Sequence, residues 1–118
     1  MLFLEENPPL AKIYGILFEL GIDANYVGFF YTSYAVWLSV RQPVRLRLVT
    51  KWLYPDVAAH YDTSWYAVER NIRTVTSVAW GNNPQLLSEL AGRNLLEKPT
   101  AAQFISILAK SIMPDQIA

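Results

Sequence analysis

Residues 54–80, YPDVAAHYDTSWYAVERNIRTVTSVAW, decide how this chain is read. Pro55 suits the first turn of a helix, where its missing N–H has no partner to lose. Ala58 and Ala59 are small and let a second helix cross close by. Asp62-Thr63-Ser64 carries turn chemistry, and the hydroxyl of Ser64 or Thr63 can cap the next helix. A short helix, a turn and a longer helix form the outline of a helix-turn-helix.

The second helix has two unlike faces. At about 100° per residue, Val68, Ile72, Val75 and Ala79 share a narrow apolar wedge. Tyr66, Arg70, Arg73, Thr74 and Ser77 fall opposite. Arginine can bind guanine O6 and N7 through two parallel hydrogen bonds in the major groove. Arg70 and Arg73 lie in the first half of the helix, the part that enters the groove in this motif. The same pattern also describes the solvated side of an ordinary amphipathic helix. Residues alone leave both readings open.

Charge favours the first. The chain of 118 residues has formal net charge zero, an unpromising total for a nucleic-acid binder. Its distribution is uneven. Residues 1–40 set Lys12 against Glu5, Glu6, Glu19 and Asp23, whereas residues 41–73 set six cations against Asp56, Asp62 and Glu69. Arg41, Arg45, Arg47 and Lys51 thus precede the motif, where phosphates would lie, and Lys51 is equally readable as a solvated lysine.

The flanks predict an all-α protein, a compact bundle of about six or seven helices in one domain over residues 1–118. A helix over about 8–20 is capped by Asn7, opened by Pro8 or Pro9 and closed by Gly21, with Leu10, Ile13, Leu17 and Leu20 inward. A second, over about 25–40, is apolar around much of its girth and is expected at the centre of the domain. It is too short and too rich in Tyr, Ser and Thr to span a bilayer. Gln42-Pro43 breaks the chain, and a third helix is expected over 44–53 with Val44, Leu48 and Leu53 inward. The chain should kink or restart at Tyr54-Pro55, because a residue before proline avoids helical angles. Gly81-Asn82 should end the long helix. Asn83-Pro84 opens a short one closed by Gly92, and Thr100 with Gln103 forms a capping box for the last, lined by Phe104, Leu108 and Ile112.

No cysteine is present, and His60, the single histidine, is expected to carry no function. There is no Gly-rich phosphate loop, nucleophile elbow or metal-ligand spacing. No metal, no cofactor and no catalytic residues are expected, so the chain is not read as an enzyme. The N-terminus lacks the pattern of a secretory signal, which makes a cytoplasmic location the expectation.

The run Thr50-Lys51, Leu53-Tyr54-Pro55, Ala58, Tyr61, Val68-Glu69-Arg70, Ile72-Arg73 and Val78-Ala79-Trp80 resembles the DNA-binding effector domain of the stage 0 sporulation protein A family. These are response regulators that start endospore formation. The likeness extends to LFELGI at 17–22 and KPTAAQFI at 98–105. It implies a transcription regulator that binds double-stranded DNA sequence-specifically, through a recognition helix over about 64–80. Base contacts are expected from Glu69, Arg70, Arg73 and Thr74. Contacts to the DNA backbone are expected from Arg45, Arg47, Lys51, Ser64 and Tyr66. Family members often carry His where this chain has Thr74, and small or basic residues where it has Trp65, Tyr66 and Ala67.

Full-length members begin with a receiver domain, for which 118 residues leave no room; an excised effector domain and a stand-alone relative both fit. The resemblance further implies tandem pairing on adjacent DNA boxes, through helices outside the motif. The expected surface is the C-terminal half, around Phe104 to Ile112. The alternative function is an interaction protein of the same fold that pairs with a related regulator or RNA polymerase.

Overall fold

The computed structural model describes residues 7–113. Helix α1 spans Pro8–Glu19 and begins where the Asn7 side chain accepts a hydrogen bond from the Leu10 N–H at 3.4 Å. Leu10, Ile13 and Leu17 face inward. The chain then turns at Gly21, whose φ of +83° lies in the left-handed region that favours glycine. There Asn82, far along the chain, donates from Nδ2 to the Leu20 carbonyl at 3.2 Å. A Cβ on residue 21 would come within 2.1 Å of that nitrogen.

Helix α2, Val27–Arg41, is the central helix, as expected. It buries Phe29, Ala35 and Val36, and its buried Ser33 and Ser39 hydroxyls donate to the carbonyls of Phe29 and Ala35.

Between α2 and the motif the structure departs from expectation. Residues 44–53 do not form one α-helix. Pro43–Arg47 is a tight 3₁₀ turn, Leu48 breaks it, and Val49–Leu53 winds more widely, with the Tyr54 N–H reaching the Val49 carbonyl five residues back. Val44 is half exposed and Leu48 partly covered, so of the three expected inward residues only Leu53 is fully buried. Nor does the chain kink at Tyr54-Pro55. Leu53 and Tyr54 both hold right-handed helical angles, and the wide turn runs straight into α3, Tyr54–His60. Pro55 sits in the first turn of α3, where a proline costs little.

After a short turn come α4, Trp65–Asn82, and α5, Pro84–Ala91. Asn83 joins them, ending α4 through its backbone N–H and starting α5 by accepting the Leu86 N–H at 3.1 Å. The long helix therefore ends at Asn82, within the expected Gly81-Asn82 stop. Helix α6, Ala101–Ile112, opens on the expected capping box, Thr100 and Gln103 each accepting the other's backbone N–H at 3.1 and 2.9 Å.

Among the described residues there are six α-helices and no strand. One apolar core joins all six, with Phe104, Ile13, Leu17, Ile72 and Leu108 fully buried. Helix α6 packs against α1, α2, α4 and α5. Phe104, Ile105, Ile107, Leu108 and Ala109 are all buried in that packing. Gln103, Lys110 and Ser111 are the exposed residues of α6, and Ala102, Ser106 and Ile112 are partly covered. Among the described residues no helix is long and apolar enough to cross a membrane.

Candidate nucleic-acid interface

The turn of the motif is built by backbone bonds. Helix α3 ends with the Asp62 N–H on the Ala59 carbonyl at 3.4 Å and the Thr63 N–H on the Ala58 carbonyl at 2.9 Å. This paired closure needs a left-handed residue at its corner, and Asp62 supplies it with φ of 54°. Ser64 then takes extended angles, and its Oγ accepts the Ala67 N–H at 3.2 Å. Its hydroxyl caps α4, the role its position in the turn suggests.

Helix α4 divides as its sequence implies. Val68, Ile72, Val75, Thr76 and Ala79 are buried, and the Thr76 hydroxyl donates to the Ile72 carbonyl at 2.8 Å. Tyr66, Arg70, Arg73 and Thr74 are exposed. The inner face meets α2 so closely that Gly28 abuts the Asn71 carbonyl; a Cβ there would lie 2.4 Å from it. Helix α3 packs along α4 with Tyr54, Val57 and Ala58 buried, while Ala59 stays exposed outside the crossing.

The two arginines are held differently. Arg73 pairs with Glu69 one turn earlier, Nη1 to Oε1 at 3.4 Å. Among the described residues the Arg70 side chain has no such partner. Its carbonyl accepts the Thr74 hydroxyl at 3.1 Å, which turns the Thr74 proton back into the helix and leaves its oxygen lone pairs outward. Beneath this face the Tyr54 phenol is pushed up to about 12 from 10.0, first by burial, then by the Glu69 charge, with Arg73 pulling the other way. Tyr54 thus stays neutral at physiological pH.

The expected backbone contacts fall into separate groups. Arg47 and Lys51 are exposed, without side-chain partners among the described residues. Arg45 is engaged elsewhere, its Nε donating to Gln42 Oε1 at 2.7 Å and its Nη1 paired with Asp56 on α3. The latter pair clasps the 3₁₀ turn to the motif. Tyr66 lies on the arginine stripe, 59% exposed, with Trp65 beside it, 48% exposed. Their rings meet edge to face, centroids 5.8 Å apart. His60 stacks on Tyr34 at 4.0 Å, joining α3 to α2.

One cation escaped the sequence reading. Lys98, in the connector before α6, donates from Nζ to Ser77 Oγ at 2.9 Å on the outer stripe of α4. Nothing local marks Lys98, since its partner lies 21 residues away. Its only signal was its place in KPTAAQFI. The chain matches, over residues 13–112, the family described as sporulation initiation factor Spo0A C terminal.

Proposed function

The chain belongs to the Spo0A C-terminal family of DNA-binding regulatory domains, and from that premise we propose that α4 is its recognition helix, set in the major groove of double-stranded DNA. The observation that carries this reading is the placement of Arg70 and Arg73, about one turn apart on the exposed side of a helix whose other side is locked into the core. Arg70 is free to take a guanine edge. Arg73 arrives already aligned by Glu69, which can also accept from a cytosine amino group. Thr74 offers an acceptor beside them. Arg47, Lys51 and Lys98 serve phosphates and fix register without reading sequence. Ser64 positions the helix by capping it, and Arg45 steadies the scaffold through Asp56. The protein is a cytoplasmic transcription regulator with no catalytic step of its own, and residues 1–118 act as one effector domain.

Substitutions separate the two classes of contact. Arg70→Ala or Arg73→Ala should cost about 1–3 kcal/mol on the preferred site and relax preference at one base position. Lys51→Ala should weaken all duplexes alike and lower the salt slope by about one. Titrations against matched and single-mismatch duplexes at several salt concentrations measure both. If both arginine variants keep full affinity and site preference, the recognition-helix assignment fails. The second reading, a domain that pairs with a related regulator or RNA polymerase, then takes its place; the exposed Trp65-Tyr66 pair and zero net charge favour it.

A further inference from the structure

We propose that Tyr66 is a base-reading residue, its ring seated on the methyl group of a thymine next to the bases read by Arg70 and Arg73. The proposal rests on the major-groove reading above and assigns Tyr66 to a base edge rather than to the DNA backbone.

Position comes first. Tyr66 precedes Arg70 by four residues and Arg73 by seven, which places all three within about 60° of one another around α4. It is the member of that stripe closest to the helix start, and residues near the start of a recognition helix reach base edges. A phosphate-bound tyrosine would sit to one side of the arginine stripe. Tyr66 is on it.

Chemistry comes second. Tyr66 is 59% exposed, and among the described residues its hydroxyl makes no hydrogen bond. The ring is therefore not spent on the core. Trp65 is also half exposed and meets the Tyr66 ring at 89°, an arrangement that restrains the ring before any partner arrives. Trp65 is a positioning residue here. Only thymine presents a methyl group to the major groove, and apolar side chains are what read it.

The test removes that methyl group and nothing else. The preferred duplex is first obtained by selection from random sequence with the full chain. Each thymine in it is then replaced singly by deoxyuridine, which preserves pairing. For the unsubstituted protein, one replacement should weaken binding about fourfold, the worth of one methyl group returned to water. Tyr66→Ala should bind the thymine and deoxyuridine duplexes equally. Tyr66→Phe should keep the discrimination, because the ring carries it, and Trp65→Ala should reduce it.

The inference is overturned if no thymine is methyl-sensitive, if Tyr66→Ala keeps the discrimination while weakening every duplex, or if Tyr66→Phe loses as much as Tyr66→Ala. Arg70→Ala, measured on the same duplexes, separates the two levels. Altered guanine preference in that variant without methyl sensitivity in the parent leaves the groove reading standing and removes this one. Absence of any DNA binding by the unsubstituted protein removes both. Thermal unfolding of each variant confirms that these exposed substitutions leave the fold in place.

Discussion

Asp62 carries a backbone conformation that L-residues pay for. Its φ of 54° closes the end of α3, and aspartate tolerates this region better than most residues but less well than glycine. Asp62→Gly should therefore stabilise the protein by up to about 1 kcal/mol, part of the gain being offset by the freer unfolded chain. Asp62→Val should destabilise it. Urea unfolding of the two variants decides between this account and one in which the Asp62 carboxylate itself is needed. Tyr54 gives a second prediction. Its phenol ionises near 10 in the unfolded chain and near 12 when folded, so the fold favours the neutral form. That contribution is complete below pH 10 and disappears as pH rises through about 12. Tyr54→Phe should flatten the loss of stability over this window without abolishing it, because burial also raises Tyr14 and Tyr61. Urea midpoints at pH 8, 10 and 11.5 would follow the difference. A variant with the parent's full alkaline slope would contradict the assignment.

Among the elements, α2 and α4 cross closely, and Gly28 gauges the approach. At Gly28 an added Cβ meets the Asn71 carbonyl and Val75 Cγ2, each at 2.4 Å. Backbone cannot give way there, so Gly28→Ala should cost about 1–3 kcal/mol, more than any helix propensity it gains. Gly15, in the middle of α1, has no neighbour within 4 Å of its added Cβ. Gly15→Ala should stabilise by about 0.5–1 kcal/mol. Thermal melts of both variants test this, and a Gly28→Ala protein as stable as the parent would mean that α2 and α4 do not cross as described. The elements with clear caps and an apolar stripe were legible in the sequence: α1 from Asn7 and its prolines, α5 from Asn83-Pro84, α6 from Thr100 and Gln103. Residues 43–53 were not. Between Pro43 and Pro55 a 3₁₀ turn and a wider turn share the stretch, and the Tyr54 N–H reaches back five residues instead of four, which no apolar periodicity announces. The site shows the same division. Arg70, Arg73 and their apolar backing are one helix's periodicity and could be read directly. The Arg45–Asp56 clasp and the Lys98–Ser77 contact join residues distant in sequence, which periodicity cannot reveal.

For the whole molecule, the fate of α6 governs assembly. Its large apolar side chains close the core, so pairing through this helix would use its outer residues. Copies placed side by side on DNA have mainly the polar Gln103, Lys110 and Ser111, with the partly covered Ile112, to offer from this helix. We expect a monomer in solution, with pairing seen only when a duplex carries two sites. Sedimentation equilibrium with one-site and two-site duplexes distinguishes this from intrinsic association. A tight oligomer without DNA would show that another face, such as that bearing the exposed Phe18 and Phe30, drives assembly.

Trp65 stands about half in solvent at the tip of α4, and Trp52, in the wide turn beside Lys51, is exposed to the same degree. Indole emission depends on the water around the ring, so these two side chains make the protein its own optical probe. Docking of α4 should shift and quench their fluorescence without any label. Trp52→Phe would leave Trp65 as the exposed emitter at the helix tip, reporting the arrival of a partner within a few ångströms of Tyr66.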